Sequence, residues 1–270
     1  MIFQQQFPAD LIESLKSKDV VAFIGAGISM GAGLPSWVNL ARTLALPANF
    51  HLPEKNEDIA VQHLLMTIQQ YENQFGRHSL LTQLQRMLYK PNVRPSTCHT
   101  LLASFPIEIF LTTNYDNLLE KSIHELGLKV NVIVEEIELA FWRQDEIQVL
   151  KLCGDITRLH TIAITQRDFS TYFSTHARFA ERVRSILESK TVLFLGYSMQ
   201  DPFLNMLWDT VGYDFGWMRR TGYIVLFDSD PHTLDDMSRR GLIPINLRSK
   251  DESKSSLMEQ WLSELSIHIQ

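Results

Sequence analysis

The chain has 270 residues, 45% of them hydrophobic and 21% charged, a globular composition that excludes a disordered, collagenous or coiled-coil protein. Its 25 Lys and Arg against 31 Asp and Glu leave a net charge of −6, which argues against a nucleic-acid backbone as main partner, so no direct nucleic-acid binding is expected. The two cysteines, Cys98 and Cys153, stand in no C-x-x-C pair, so they build no thiolate zinc site and suit a reducing compartment.

The segment Met1 to Val20 has neither the basic nor the apolar region of a signal peptide. No apolar run approaches the roughly 20 residues of a bilayer span, so a cytoplasmic protein without membrane association is expected. Short apolar runs rich in β-branched and aromatic residues occur at Val20–Ile24, Ile107–Thr112, Val130–Val134, Ile147–Leu152, Val192–Leu195, Tyr223–Phe227 and, more weakly, Ile243–Leu247. Runs such as VLFL and YIVLF suit strands buried on both faces. The expected class is α/β, a Rossmann-like, doubly wound, mostly parallel sheet.

About eighty residues separate the first two runs, too many for one crossover helix. Apolar spacing predicts helices over Ile59–Gln70 and Ser79–Tyr89, hence an inserted helical module, residues 38–106, within a single domain spanning 1–270. Further helices are expected over Phe169–Ser189 and Ser253–Leu265.

The strongest local signal is VVAFIGAGISMGAGLPSW, residues 20–37, a buried strand running into Gly25 and Gly27. Such glycines let a backbone turn sharply and approach a pyrophosphate, or simply pack a helix against the sheet. Met30 stands where G-x-G-x-x-G needs a small residue and no Lys follows, so neither a dehydrogenase fingerprint nor a P-loop is complete. Pro35 and Trp37 read as a rigid turn and a core aromatic. Past the second run, Thr113, Asn114 and Asp116 lie where open α/β sheets bind ligands; helix capping is the alternative for Asn114 or Asp116. Gly196 and Ser198 follow the fifth run in the same way, whereas Asp201 before Pro202 reads as a helix cap. Asp228 follows the sixth run, suited to a ribose diol or a turn. The nine histidines show no H-E-x-x-H or comparable spacing, so no metal site is expected. Cys98, in RPSTCHT, reads as core or cap packing.

In this order, GAGIS with GLPSW, TTNYD, KLCGDI with AITQRDFSTY, and GYSMQDP resemble the sirtuin-like NAD-binding domain. They resemble most the NAD-hydrolysing branch seen in bacterial anti-phage defence effectors. The likeness runs from about Val20 to Asp228, and the absence of C-x-x-C pairs points away from the lysine-deacylating branch with its zinc module. The resemblance implies hydrolysis of NAD to nicotinamide and ADP-ribose without a metal. It places phosphate and ribose contacts on Gly25, Ala26, Gly27 and Ser29, a water-holding amide on Asn114, a nicotinamide-side acid on Asp116, and a ribose-binding turn on Gly196 and Ser198. It also implies a homo-oligomer or a defence-system partner.

One position departs from the family. Its catalytic histidine lies in K-[IL]-H-G, and this chain has Lys151-Leu152-Cys153-Gly154. A thiol, with an ordinary pKa of about 8.5, is a poor general base unless its surroundings make it a thiolate. Four readings follow: hydrolysis driven by positioning and electrostatics, His160 as substitute base, a pseudoenzyme or sensor subunit binding NAD or ADP-ribose, and Cys153 as a small buried apolar residue.

Overall fold

The computed structural model describes residues 7–52, 61–197, 208, 220–248 and 252–269. Seven strands, β1 (Val20–Ile24), β2 (Ile109–Thr112), β3 (Val130–Ile133), β4 (Ile147–Lys151), β5 (Thr191–Leu195), β6 (Gly222–Phe227) and β7 (Leu242–Leu247), lie within two residues of the expected limits. They form one sheet in the order β3-β4-β2-β1-β5-β6-β7. Every pairing is parallel; Val21, for example, lies opposite Ile109 on one side and Val192 on the other. The Rossmann-like α/β expectation is met.

Alternation along the strands splits the core in two. Val21, Phe23, Leu111, Leu150 and Phe194 share one apolar cluster, while Ala22, Ile24, Phe110, Val149 and Leu195 share another. The first cluster is completed by α3 (Trp37–Ala45), α4 (Val61–Leu88), α7 (Gln166–Thr175), α8 (Ala177–Ser189) and α9 (Pro231–Arg239). The second is completed by α1 (Ala9–Lys16), α2 (Ala26–Met30), α5 (Thr97–Ser104), α6 (Leu118–Glu125) and α10 (Lys254–Ile269), with Trp261 of α10 fully buried. Burial on both faces explains why the strands read as continuous apolar runs.

Two helical expectations are refined. The α4 span is two helices meeting at Gly76, whose backbone (φ 82°, ψ 160°) is non-helical, so the two expected helices stand end to end. The stretch after β4 breaks at His176 into α7 and α8. A capping box between Thr165 and Asp168 starts α7, and Arg77 of α4 pairs with Asp168 at 2.9 Å.

The direction of winding reverses beside β1, whose neighbours are β2 and β5, and the turns leaving those three strands share one edge. That edge is the usual ligand crevice of such folds. Here the β1 and β5 turns touch through backbone: Gly25 N–H donates to Leu195 O and Gly27 N–H to Gly196 O, both at 2.8 Å. A Cβ on Gly27 would sit 2.8 Å from the Gly196 oxygen. Glycine is required here because one backbone presses on another, so these two N–H groups are committed within the protein. Gly27→Ala is expected to lose about 1–3 kcal/mol of stability by forcing the turns apart, read as a lower urea midpoint at unchanged slope.

Candidate active site

The β2 turn carries the most constrained polar side chain. Thr112 Oγ1 donates to Ile24 O at 2.8 Å and accepts the Asn114 N–H at 3.0 Å, which folds the chain back over the β1 turn. Asn114 Nδ2 then donates to Gly25 O at 3.2 Å and to Ser29 Oγ at 3.1 Å. Gly25 O is solely an acceptor, so it fixes which end of the carboxamide faces it. Both N–H bonds are thereby used, and Asn114 Oδ1 is buried with no hydrogen-bond partner among the described residues. A buried acceptor without a partner is costly and calls for an explanation.

The expected neighbours are found around it. Tyr197 Oη donates to Ile24 O at 3.2 Å, which leaves Thr113 Oγ1, 3.1 Å away, to donate to Tyr197. Asp116 Oδ1 accepts the Leu118 N–H at 3.1 Å, so this carboxylate takes part of the capping role as well. Ala26, Ser29, Pro35, Trp37, Thr113, Asn114 and Asp116 line one cavity of about 30 Å³, enough to hold a bound water. Trp37 thus combines the expected packing role, against Phe169, with a place in the cavity wall. Asp228 lies apart from this wall, at the end of β6 with φ of 48°, its N–H bonded to Leu247 O. Ser198 and Asp201 lie outside the described residues.

The β4 turn is held by Lys151, fully buried at the end of its strand. Its ammonium lies 2.6 Å from Asp155 and 3.1 Å from Glu120, and donates to Tyr115 O at 3.2 Å and to Asp116 O. Burial alone would lower its pKa; Glu120, Asp155 and Asp116 reverse this and raise it. Burial opposes ionisation of Asp155 too, yet Lys151 and Thr157 hold its pKa below the usual range. Tyr115 adds a second tie, donating through its hydroxyl to Ala163 O at 2.8 Å. The β2 and β4 turns therefore move as one body.

Cys153 sits inside that body. It is 1% exposed, belongs to the apolar cluster on the α7 side, and does not line the Asn114 cavity among the described residues. The buried apolar reading of this cysteine fits the geometry. His160 does not substitute for the family base: its side chain is 69% exposed and faces Glu135 at 3.3 Å. It borders a larger cleft of about 570 Å³ beyond the turn, with Leu152, Ala163 and His176, and none of the other residues selected from the sequence lines that cleft.

One residue of the site escaped sequence reasoning. His99, in the first turn of α5, is buried with Nε2 3.5 Å from Ser29 Oγ. Its signal was the Ser96-x-x-His99 spacing at a helix start, where the ring accepts the Ser96 N–H. Burial lowers its pKa to about 4, against the raising effect of the Asp116 charge.

A doubly wound parallel sheet with polar side chains gathered at the reversal of winding is the arrangement in which open α/β folds hold their ligands. The profile described as SIR2-like domain matches residues 108–248, and the chain belongs to that family. It is similar to the NAD(+) hydrolase ThsA of Enterococcus faecium, 32% identical over 217 residues, covering 79% of this chain and 44% of the relative. The NAD(+) hydrolase ThsA of Cytobacillus dafuensis is 30% identical over 200 residues, 73% of this chain and 39% of the relative. Defense-associated sirtuin 2 of Bacillus subtilis is 24% identical over 201 residues, 73% and 20%. The chain thus spans less than half the length of these relatives. No helix among the described residues is long and apolar enough to cross a membrane.

Two outcomes are expected from the buried charges. Lys151→Met strands Glu120 and Asp155 and is expected to cost about 3–5 kcal/mol, with Glu120→Gln added to it restoring part of the loss in urea unfolding. His99 has a folded-state pKa below its unfolded value of about 6.5, so between the two the unfolded chain binds more protons. Its contribution is full above pH 6.5 and lost as pH falls toward 4, a change on the order of 3 kcal/mol. Unfolding midpoints measured across that window are expected to fall less steeply in His99→Gln.

Proposed function

We propose that this chain hydrolyses NAD to nicotinamide and ADP-ribose as part of bacterial anti-phage defence. The observation that carries the reading is the Asn114 carboxamide: both N–H bonds are tied down, and its carbonyl oxygen is a buried acceptor without a partner among the described residues, on a side chain that lines the cavity. Such an oxygen suits the O–H of an attacking water, and the cavity beside it has room to hold one. The likeness to two NAD(+) hydrolases and a defence-associated sirtuin supports the same substrate and setting.

Breaking the bond from ribose C1′ to nicotinamide passes through an oxocarbenium-like state, as in glycoside hydrolysis. Water adds at C1′, the bonding pair leaves with nicotinamide, and the water's proton passes to solvent. Asn114 orients the water and Ser29 hydrogen-bonds a ribose or phosphate oxygen. Asp116, with one oxygen engaged by Leu118 N–H, turns the other to the nicotinamide amide. Ala26, Thr113 and Gly196 shape the ribose and phosphate side with Gly25 and Gly27; for Ser198 the family resemblance alone supports a ribose contact, and Asp228, at the end of β6, stands apart as a candidate for a ribose diol. Cys153, buried and thiol-bearing, leaves the reaction to positioning and fixed dipoles instead of a side-chain base. The setting we infer is cytoplasmic, in a homo-oligomer or with a defence-system partner, in keeping with the family resemblance.

Nicotinamide release by the purified protein tests this. Asn114→Ala is expected to lower kcat by roughly 10²–10³-fold, with NAD binding by calorimetry changed only a few-fold; unchanged turnover would remove the mechanism. The wild-type rate is expected to show no inflection near pH 6.5, the ordinary histidine pKa.

A further inference from the structure

We propose that His99 is a positioning residue of this site, acting through Ser29, an inference that rests on the proposed hydrolysis of NAD. His99 Nδ1 accepts the Ser96 backbone N–H at 3.1 Å and lies 2.8 Å from Ser96 Oγ. A ring nitrogen that accepts a backbone N–H carries no hydrogen of its own, so in the neutral ring the proton sits on Nε2. The ring is neutral at physiological pH, because burial lowers its pKa to about 4 against the charge of Asp116.

Nε2–H therefore donates to Ser29 Oγ, 3.5 Å away, and cannot accept from it. Asn114 Nδ2 donates to the same oxygen at 3.1 Å. With both lone pairs of Ser29 Oγ occupied, the hydroxyl has only its hydrogen left to offer, on the side where Ser29 lines the cavity with Ala26 and Asn114. The two side chains thus present opposite polarity to the crevice: Ser29 a donor, Asn114 an acceptor. His99 sets the first directly and, by occupying Ser29, supports the second. A ligand oxygen without a hydrogen, such as that of a phosphate or a ribose ether, matches the Ser29 donor, and a water or hydroxyl matches Asn114.

Four variants test this: His99→Asn, His99→Gln, Ser29→Ala and the Ser29→Ala/His99→Asn double, each measured for thermal midpoint, nicotinamide release and NAD binding. Asn places an oxygen near the position of Nδ1 and keeps the helix cap but does not reach Ser29; Gln places an N–H near the position of Nε2. His99→Asn is expected to keep its thermal midpoint within a few degrees while kcat falls about tenfold with a smaller change in KM, and His99→Gln to recover most of the rate. In the Ser29→Ala background, His99→Asn is expected to change kcat less than about twofold, the non-additivity of residues acting as one unit. Full activity of His99→Asn, or an equal drop in both backgrounds, would overturn the role of His99 while leaving NAD hydrolysis standing. A wild type that neither releases nicotinamide nor binds NAD would overturn the proposed function itself. Nitrogen chemical shifts of the His99 ring give a reading independent of turnover: a protonated Nε2 that shifts in Ser29→Ala supports the assignment, and a protonated Nδ1 sinks it.

Discussion

The hydrogen bond from Gly27 N–H to the Gly196 carbonyl joins the turns that leave β1 and β5, and the site is assembled around that contact. It brings two backbones closer than any side chain allows, with peptide groups alone at the contact. Those peptide groups are spent on one another, so recognition is left to the side chains on the rim. Asn114, Ser29 and Thr113 reach it from two different turns, and each is pinned by a partner from the segment that follows another strand. A site held in this way is ordered before any substrate arrives, which is what catalysis by fixed dipoles requires.

Behind the rim the structure commits charge to a buried position. Lys151 replaces its lost hydration with two carboxylates and two backbone carbonyls, and three of these four partners belong to the segment running from the β2 turn into α6. The arrangement is costly in desolvation and directional in its hydrogen bonds, so its return is geometric: the turn bearing Asn114 cannot shift without the turn bearing Cys153. This coupling gives a physical reason for a lysine at the end of an otherwise apolar strand.

Much of the fold was legible in the chain. The five inner strands were legible because burial on both faces leaves an unbroken hydrophobic signature, while the edge strands β3 and β7, only partly buried, gave shorter or weaker runs. Helix junctions were less legible: the bend at Gly76 and the break at His176 interrupt otherwise continuous apolar spacing without a proline. At the site, Thr113, Asn114 and Asp116 were picked out as polar residues just past a buried strand, with capping as the alternative, and Ser29 came from the family resemblance alone. The glycines were found for an incomplete reason, since whether a glycine meets a ligand or another turn depends on a contact between residues 169 positions apart. His99 and Lys151 were missed because a buried histidine at a helix start and a lysine at a strand end look like ordinary capping and surface residues. Their partners come from distant segments, so linear spacing carries no trace of them.

Both cysteines of the chain are buried, and each lies within two residues of one that supports the site. Cys98 adjoins His99, and burial pushes its thiol up to about 12, far from the thiolate that reacts. Cys153 is two residues from Lys151 and is equally shielded. In the closed fold neither sulfur meets an alkylating reagent, so labelling under native conditions counts excursions in which one half of the crevice opens. The molecule carries two built-in reporters of its own breathing, one behind the β1 turn and one within the β4 turn.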